Sequence, residues 1–241
     1  MAAPFLLFGS PHLVALGLIL ALPLALAMLA RRHRCFDPAF RFGLTALLGG
    51  GWIGFYLLFA ARSWLTLDNG LPLNLCDWAS IALMAALLRP TPFSYELGYF
   101  WGLGGTLQGR LTPDIARGFP DPQFILFFIG HGGIIAALLY LTLGTGLRPW
   151  PRSLPRVALA SLFYMAVTGL GDWLLGTNYG FLRAKPFNVS LLTLLSPWPF
   201  YIPELVGLGV VSLLLYYAPF WIGDRLRKYR TQSRRLPSAS T

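Results

Sequence analysis

Charged residues are scarce in this sequence. Only 12% of the 241 residues are Asp, Glu, Lys or Arg, whereas 56% are hydrophobic, and the mean hydropathy is +0.60. No polar stretch is long enough to form a separate soluble domain. The scarcity of charge therefore excludes a water-soluble globular protein and indicates a single integral membrane domain.

Cysteine and histidine are also rare, and their positions limit the possible chemistry. Two cysteines, Cys35 and Cys76, cannot form a disulfide framework. Of the three histidines, His12 and His33 fall on opposite sides of the predicted membrane, which argues against a histidine-rich metal site. The sequence has no glycine-rich phosphate loop followed by Lys and Ser or Thr. We therefore expect neither a metal nor a cofactor.

The apolar runs predict an all-α membrane protein with seven transmembrane helices, since a crossing needs about 20 apolar residues. The N-terminus lacks the basic residues that precede a signal-peptide core, so the first run is interpreted as a retained helix. The fourth run contains Glu96 and five glycines, and a re-entrant element is the alternative there. The predicted spans are approximately 11–30, 40–61, 71–88, 92–109, 122–144, 156–175 and 201–222. They form one domain, residues 1–224, followed by a basic and disordered tail at 225–241.

The basic residues predict the orientation of this bundle. With seven spans, 14 of the 19 Lys and Arg residues fall in the first, third and fifth loops and the C-terminal tail. Because cytoplasmic loops carry the excess of Lys and Arg, the N-terminus is expected outside and the C-terminus in the cytoplasm, in the cell (inner) membrane. The net charge of +10 therefore reflects topology, and no nucleic-acid partner is expected.

Unusual polar residues fall in the outer half of the predicted bundle or just above it. Ionisable and amide groups at membrane depth are costly and usually face a bundle interior or a wet cavity, so this concentration predicts a site. The residues, in chain order, are Asn74, Cys76, Asp77, Gln108, Arg110, Thr112, Asp114, His131, Asp172, Asn178, Tyr179, Arg183, Lys185 and Glu204.

Cys76 and His131 form the candidate reactive pair. At 1.5 Å of rise per residue, Cys76 lies roughly 8 Å below a helix start at residue 71, and His131 roughly 14 Å below a start at residue 122. A thiol beside an imidazole is the minimal arrangement for covalent acyl chemistry, with Asp77 or Asp172 able to orient the imidazole. The glycines Gly130, Gly132 and Gly133 would leave room around His131. A lone cysteine in a transmembrane helix is, however, more often a packing residue.

Five ordered motifs, "LPLNLCDW", "GTLQGRLTPD", "FFIGHGG", "GTNYGFLRAKP" and "SPWPFY", resemble those of the YwaF-like integral membrane proteins. The likeness covers about residues 40–221. This bacterial group is related to a eukaryotic transmembrane acyltransferase that moves acyl chains onto ether lysophospholipids. The resemblance implies that Cys76 is the nucleophile and His131 its partner.

We therefore hypothesise a membrane-embedded lipid acyltransferase, or a lipid hydrolase that forms a thioester, opening to the outer leaflet. The substrates would be a phospholipid or a lysophospholipid. Asn74 or Gln108 would stabilise the oxyanion, and the substrate phosphate would be held by Arg110, Arg183 and Lys185. One alternative is a transporter or binding protein for a small amphiphile that uses the same cavity without covalent chemistry. Another is a structural membrane partner whose polar groups pair with one another.

Overall fold

The computed structural model describes residues 4–106, 113, 115–186 and 191–233. Within these ranges the chain is helical and contains no β-strand, apart from an isolated bridge between Pro4 and Arg117. This confirms the predicted all-α class. The helices are α1 (Ser10–Arg32), α2 (Asp37–Ala61), α3 (Leu75–Leu88), α4 (Pro92–Trp101), α5 (Pro122–Leu139), α6 (Ser153–Leu175) and α7 (Tyr201–Ser233). The π-helical turns Gly102–Thr106 and Tyr140–Gly144 continue α4 and α5.

Five of these helices, α1, α2, α5, α6 and α7, are long and apolar enough to cross a membrane, judged by length and composition. In contrast, α3 has only 14 residues. At a rise of 1.5 Å per residue it is about 21 Å long, shorter than a hydrocarbon core of about 30 Å. The chain is thus a multi-pass membrane protein, and the count of seven spans stays a prediction.

The two short helices form a buried hairpin inside the bundle. In α3 the side chains of Ala79, Leu83 and Leu87 are buried, and in α4 Tyr95 and Trp101 are buried. Backbone and polar groups at membrane depth are tolerated where protein covers them. The long helices provide that cover, so α3 and α4 do not need the length of a lipid-exposed span.

Consecutive helices run in opposite directions, and polar contacts join their ends. At one end, which we call the Asp121 end, the Arg62 guanidinium after α2 binds the Asp121 carboxylate before α5, with Nη1 and Oδ1 3.1 Å apart. At the same end, the backbone N–H of Leu71 donates to the hydroxyl of Tyr179, 2.8 Å away, which follows α6. These contacts place the α2–α3 loop, the start of α5 and the α6–α7 loop together.

The opposite end, which we call the Arg148 end, is held by a second set of arginines. Arg148 in the α5–α6 loop donates two hydrogen bonds to the carboxylate of Asp224 near the end of α7. Arg41 at the start of α2 donates to the carbonyl of Leu87 at the end of α3. At the Asp121 end and at the Arg148 end, the start of one helix contacts the end of another. The helices therefore form an up-and-down bundle. The orientation of this bundle in the membrane stays a prediction.

The start of α3 and the end of α7 differ from those predicted. α3 begins at Leu75 rather than at residue 71, because Asn74 acts as the N-cap. α7 continues to Ser233, through most of the segment expected to be a disordered tail from 225. Gly223 is the last glycine in α7, and after it the helix contains no proline and several strong helix formers, Arg, Lys and Leu.

We expect Gly98→Ala to destabilise the protein, because a Cβ at Gly98 would lie 2.5 Å from Cγ of Leu83. Such overpacking costs about 1–3 kcal/mol. Thermal unfolding in detergent should show a lower midpoint for Gly98→Ala. A Cβ at Gly50 in α2 meets nothing within 4 Å, so Gly50→Ala is the matched control and should keep or raise the wild-type midpoint, since alanine is the better helix former. Equal midpoints for the two variants would contradict the close α3–α4 packing.

The predicted orientation can be tested on Cys35, which is exposed between α1 and α2. In a Cys76→Ala protein Cys35 is the sole thiol. A membrane-impermeant maleimide should leave it unlabelled in intact cells and label it in inside-out vesicles, since that loop is expected in the cytoplasm. Labelling of intact cells would reverse the predicted orientation.

Candidate functional site

A cavity of about 210 Å³ lies between α2, α3 and α5, toward the Asp121 end. Three turns of α5 line one wall with Gln123, Phe127 and His131, which recur at the four-residue spacing of a single helix face. Cys76 and Asp77 line the wall formed by α3. The cavity therefore brings the predicted thiol and the predicted imidazole to one space.

Glycines allow α2 to lie close to α5 along this cavity. A Cβ at Gly54 would lie 2.7 Å from Cδ2 of Leu126, and one at Gly51 would lie 3.3 Å from Cγ2 of Ile129. The close approach leaves the larger α2 side chains Trp52 and Phe55 to form the cavity wall. The cavity is thus bounded mainly by aromatic and aliphatic surface.

The polar residues of the α3 start have a structural explanation. Asn74 is the N-cap of α3, and its backbone N–H donates to Oδ2 of Asp77, three residues on, at 3.0 Å. This is one half of a capping box, which satisfies N–H groups that a helix start leaves unpaired. Asn74 and Asp77 are consequently required to begin the helix, whatever else they do in the cavity.

Cys76 occupies the second residue of α3, between the two capping residues. Backbone N–H groups in the first turn have no partner within the helix, and the helix dipole is positive there. This position favours negative charge on sulfur, but desolvation of the thiol inside the protein opposes that charge more strongly. The carboxylate of Asp77, the next residue, also disfavours negative charge on the sulfur.

His131 is oriented by its own helix. Its ring stacks on Phe127, with centroids 4.3 Å apart, and its Nδ1 lies 3.2 Å from the carbonyl oxygen of Phe127. A carbonyl can only accept, so this contact favours the tautomer with the proton on Nδ1. In that tautomer Nε2 is the basic nitrogen.

The glycines beside His131 have different roles from one another. Gly130 lines the cavity, and a Cβ there would meet nothing within 4 Å. A Cβ at Gly132 would lie 2.8 Å from Ile19, and one at Gly133 would lie 3.0 Å from Leu48. Gly130 thus leaves room beside the imidazole, whereas Gly132 and Gly133 permit close packing against α1 and α2.

Asp172 lies elsewhere, buried at the end of α6. Its Oδ1 accepts from the hydroxyl of Thr177 at 2.8 Å and from the backbone N–H of Tyr179 at 2.7 Å. It is not among the residues that line the cavity. Of the two aspartates predicted as partners for His131, Asp77 is therefore the one that shares its cavity.

The predicted binding residues after α6 make hydrogen bonds that hold the α6–α7 loop in its conformation. Asn178 Oδ1 accepts from the backbone N–H of Arg183, whose Nη1 donates to the carbonyl of Asp172 at 3.0 Å. Lys185 donates to the carbonyl of Leu195. The carboxylate of Glu204 accepts from Ser196. Four further residues predicted for the site, Gln108, Arg110, Thr112 and Asp114, lie outside the described residues.

Tyr179 connects this loop to the start of α3. Its hydroxyl donates to the carbonyl of Leu67 and accepts from the N–H of Leu71. Burial raises the pKa of Tyr179, so the phenol keeps the proton that it donates. Through these bonds the α6–α7 loop fixes the segment that leads into Asn74 and Cys76.

Several cavity residues were missed by the sequence reasoning. They are Trp52, Tyr56, Asn69, Ser80 and Gln123. Ser80 stands four residues after Cys76 on the same face of α3, a spacing that could have identified it. The other four needed the packing of α2 and its following loop against α5, which no local pattern specifies. No group of three or more His, Cys, Asp or Glu suited to a metal occurs in the described part of the chain.

The five long apolar helices, which run in alternating directions, define a multi-pass, all-α membrane protein. A model of the TMEM164 family matches residues 7–217, and the chain belongs to this family. Comparison with curated proteins and with solved structures gave no match.

We expect Tyr179→Phe to loosen the α2–α3 loop, because it removes the donor to Leu67 and the acceptor for Leu71. Each hydrogen bond lost costs about 0.5–1.5 kcal/mol. Hydrogen–deuterium exchange of residues 63–74 should become faster than in the wild type. Tyr229→Phe changes an exposed tyrosine near the other end of α7 and should leave this exchange unchanged. Unaltered exchange in Tyr179→Phe would remove the proposed link between the two loops.

Proposed function

We propose that this protein is a lipid acyltransferase, or a lipid hydrolase with the same thioester intermediate, that works at the Cys76–His131 cavity. The observation that carries the proposal is that both side chains line one cavity with apolar walls. A thiol and a base within reach of one carbonyl are the requirements for covalent acyl chemistry. The family resemblance implies the same pair.

The cavity walls fit an acyl chain. Trp52, Phe55 and Phe59 of α2 face Phe127 of α5 around the space that Cys76 and His131 share. The volume is below the roughly 300–1,000 Å³ of pockets that enclose drug-sized ligands. The cavity would therefore hold the reacting ester and a short part of its chain, with the rest of the lipid in the bilayer.

The first half of the reaction transfers the acyl group to the enzyme. Nε2 of His131 takes the thiol proton while sulfur attacks the ester carbonyl, and His131 then gives that proton to the departing alcohol oxygen of the lysolipid. The products are an S-acyl Cys76 and a lysophospholipid. Because desolvation and the Asp77 carboxylate both disfavour a resident thiolate, proton removal accompanies the attack.

The second half regenerates the thiol. A hydroxyl of an acceptor lysophospholipid loses its proton to His131 and attacks the thioester, and His131 returns the proton to sulfur. Water in place of the acceptor gives a free fatty acid and makes the protein a hydrolase. Asn74 lines the same cavity, and its amide, once turned from Asp77, would donate to the carbonyl oxygen as negative charge develops there.

We expect Cys76→Ala and His131→Ala to reduce acyl transfer strongly, by about 100-fold or more, because each removes a group needed for proton or acyl transfer. The assay is purified protein in lipid nanodiscs with a mass-labelled phospholipid and a lysophospholipid acceptor. Intact-protein mass spectrometry should show one acyl group on the wild type, released by hydroxylamine. Cys35→Ala, which keeps Cys76, is the matched control and should behave as the wild type.

The rival function, binding or transport of an amphiphile, gives a different result in the same assay. No acyl group would appear on the wild-type protein, and neither variant would change the acyl-chain distribution. Full transfer activity in Cys76→Ala would overturn the acyl-transfer proposal.

A further inference from the structure

Two arginines share one carboxylate at the Asp121 end. Arg62 binds Asp121 through both guanidinium nitrogens, at 3.1 and 3.3 Å. Nη1 of Arg117 lies 3.7 Å from Oδ2 of the same carboxylate. Both guanidinium groups lie over the ring of Trp64, at 4.8 and 5.6 Å from its centroid. We call these four residues the arginine cluster.

The arginine cluster carries a net positive charge. Asp121 is buried, which opposes its ionisation, but hydrogen bonds from the backbone N–H of Gln123 and from Arg62 outweigh this and hold its pKa below the usual range. The carboxylate is thus ionised at neutral pH and neutralises one guanidinium. Because Arg62 makes the close bidentate contact, the second charge is centred on Arg117.

The side-chain donors of Arg117 make no hydrogen bond to a described residue. Its side chain is 46% exposed, and its 3.7 Å approach to Asp121 is longer than a hydrogen bond. Its backbone position is fixed by the bridge to Pro4 and by the neighbouring hydrogen bond from Phe5 N–H to the Ala116 carbonyl, 3.1 Å. A guanidinium on a fixed backbone with unused N–H groups matches the geometry of a phosphate, which it can bind in a bidentate manner.

The arginine cluster adjoins the cavity of Cys76 and His131. Gln123, whose N–H donates to Asp121 at 2.8 Å, lines that cavity. Ile115 lines it two residues before Arg117. Phe59 lines it from α2 and packs against Trp64 of the cluster, with ring centroids 5.7 Å apart. One molecule can therefore enter the cavity while its polar part remains beside the arginines.

Of the three cations predicted from the sequence for this role, Arg110 lies outside the described residues and the other two are less suited to it. Arg183 and Lys185 donate to backbone carbonyls of their own loop, as described above. Their hydrogen bonds are used to fold the α6–α7 loop, whereas the side-chain contacts of Arg117 with described residues are the Trp64 ring and a carboxylate that Arg62 already neutralises.

We propose that Arg117, assisted by Arg62, binds the phosphate diester of the phospholipid whose acyl chain enters the Cys76–His131 cavity. This inference rests on the proposed function for the identity of the occupant as a phospholipid. Asp121 orients Arg62 and, as the N-cap of α5, fixes the arginine cluster to the helix that carries His131. The site therefore distinguishes a phospholipid from a neutral lipid with the same acyl chains.

The test uses the full chain with Cys76→Ala, so that no acyl transfer occurs and binding alone is measured. Native mass spectrometry in detergent compares retention of phosphatidylglycerol with that of diacylglycerol of the same chains. We expect the phosphatidylglycerol to be retained at least tenfold better. Arg117→Gln should lose about tenfold of that preference, as expected for a charge-assisted hydrogen bond, and diacylglycerol retention should not change.

Two further variants separate charge from geometry and from folding. Arg117→Lys keeps the charge and should retain most of the preference. Arg31→Gln removes an exposed arginine at the end of α1, on the opposite end of the bundle, and should keep all of it. Size-exclusion profiles and unfolding midpoints check that each variant is folded, which the exposure of Arg117 leads us to expect.

Other outcomes would overturn the inference without touching the acyl-transfer proposal. An unchanged preference in folded Arg117→Gln would show that the arginine cluster does not bind the headgroup. Displacement of the lipid by equimolar inorganic phosphate would assign the site to free phosphate instead. Conversely, activity that survives Cys76→Ala in the transfer assay would overturn the function while leaving this binding result intact.

Discussion

The hydrogen bond from Asn74 N–H to the Asp77 carboxylate fixes the place where α3 begins. A helix that starts within a membrane domain leaves backbone N–H groups that lipid cannot satisfy, so a cap is required there. The cap sets Cys76 in the first turn, where α3 faces the cavity. The α2–α3 loop reaches this position because Tyr179 holds Leu67 and Leu71. The reactive part of the site therefore depends on the start of one short helix.

The short length of α3 and α4 has a functional consequence. A full-length span would carry its first turn to the membrane surface, whereas α3 places its first turn beside a cavity enclosed by α2 and α5. The glycines of α2 bring α5 close, and the aromatic residues around them form the walls. A thiol, an imidazole and an apolar space are thereby combined without any long polar segment, which agrees with the scarcity of charge in the sequence.

The two ends of the bundle use their ion pairs differently. At the Arg148 end, Arg148 and Asp224 form a one-to-one pair that joins the α5–α6 loop to α7. At the Asp121 end, two arginines share one carboxylate, and a net charge remains beside the cavity. The Arg148–Asp224 pair therefore suits structural support, whereas the carboxylate shared by two arginines leaves one guanidinium to recognise an anion beside the cavity.

Hydropathy by itself determined the helical class and the positions of the apolar runs. It also made Cys76 and His131 stand out within those runs, because membrane burial penalises polar residues strongly. It could not show that α3 begins at Leu75, or that Asn74 and Asp77 form its cap. It also could not show that Arg183 and Lys185 fold their own loop while Arg62 and Arg117 gather at Asp121. Those features depend on contacts between residues far apart in the chain, and only the tertiary structure decided them, since close helix packing and loop hydrogen bonds have no periodic signal in the sequence.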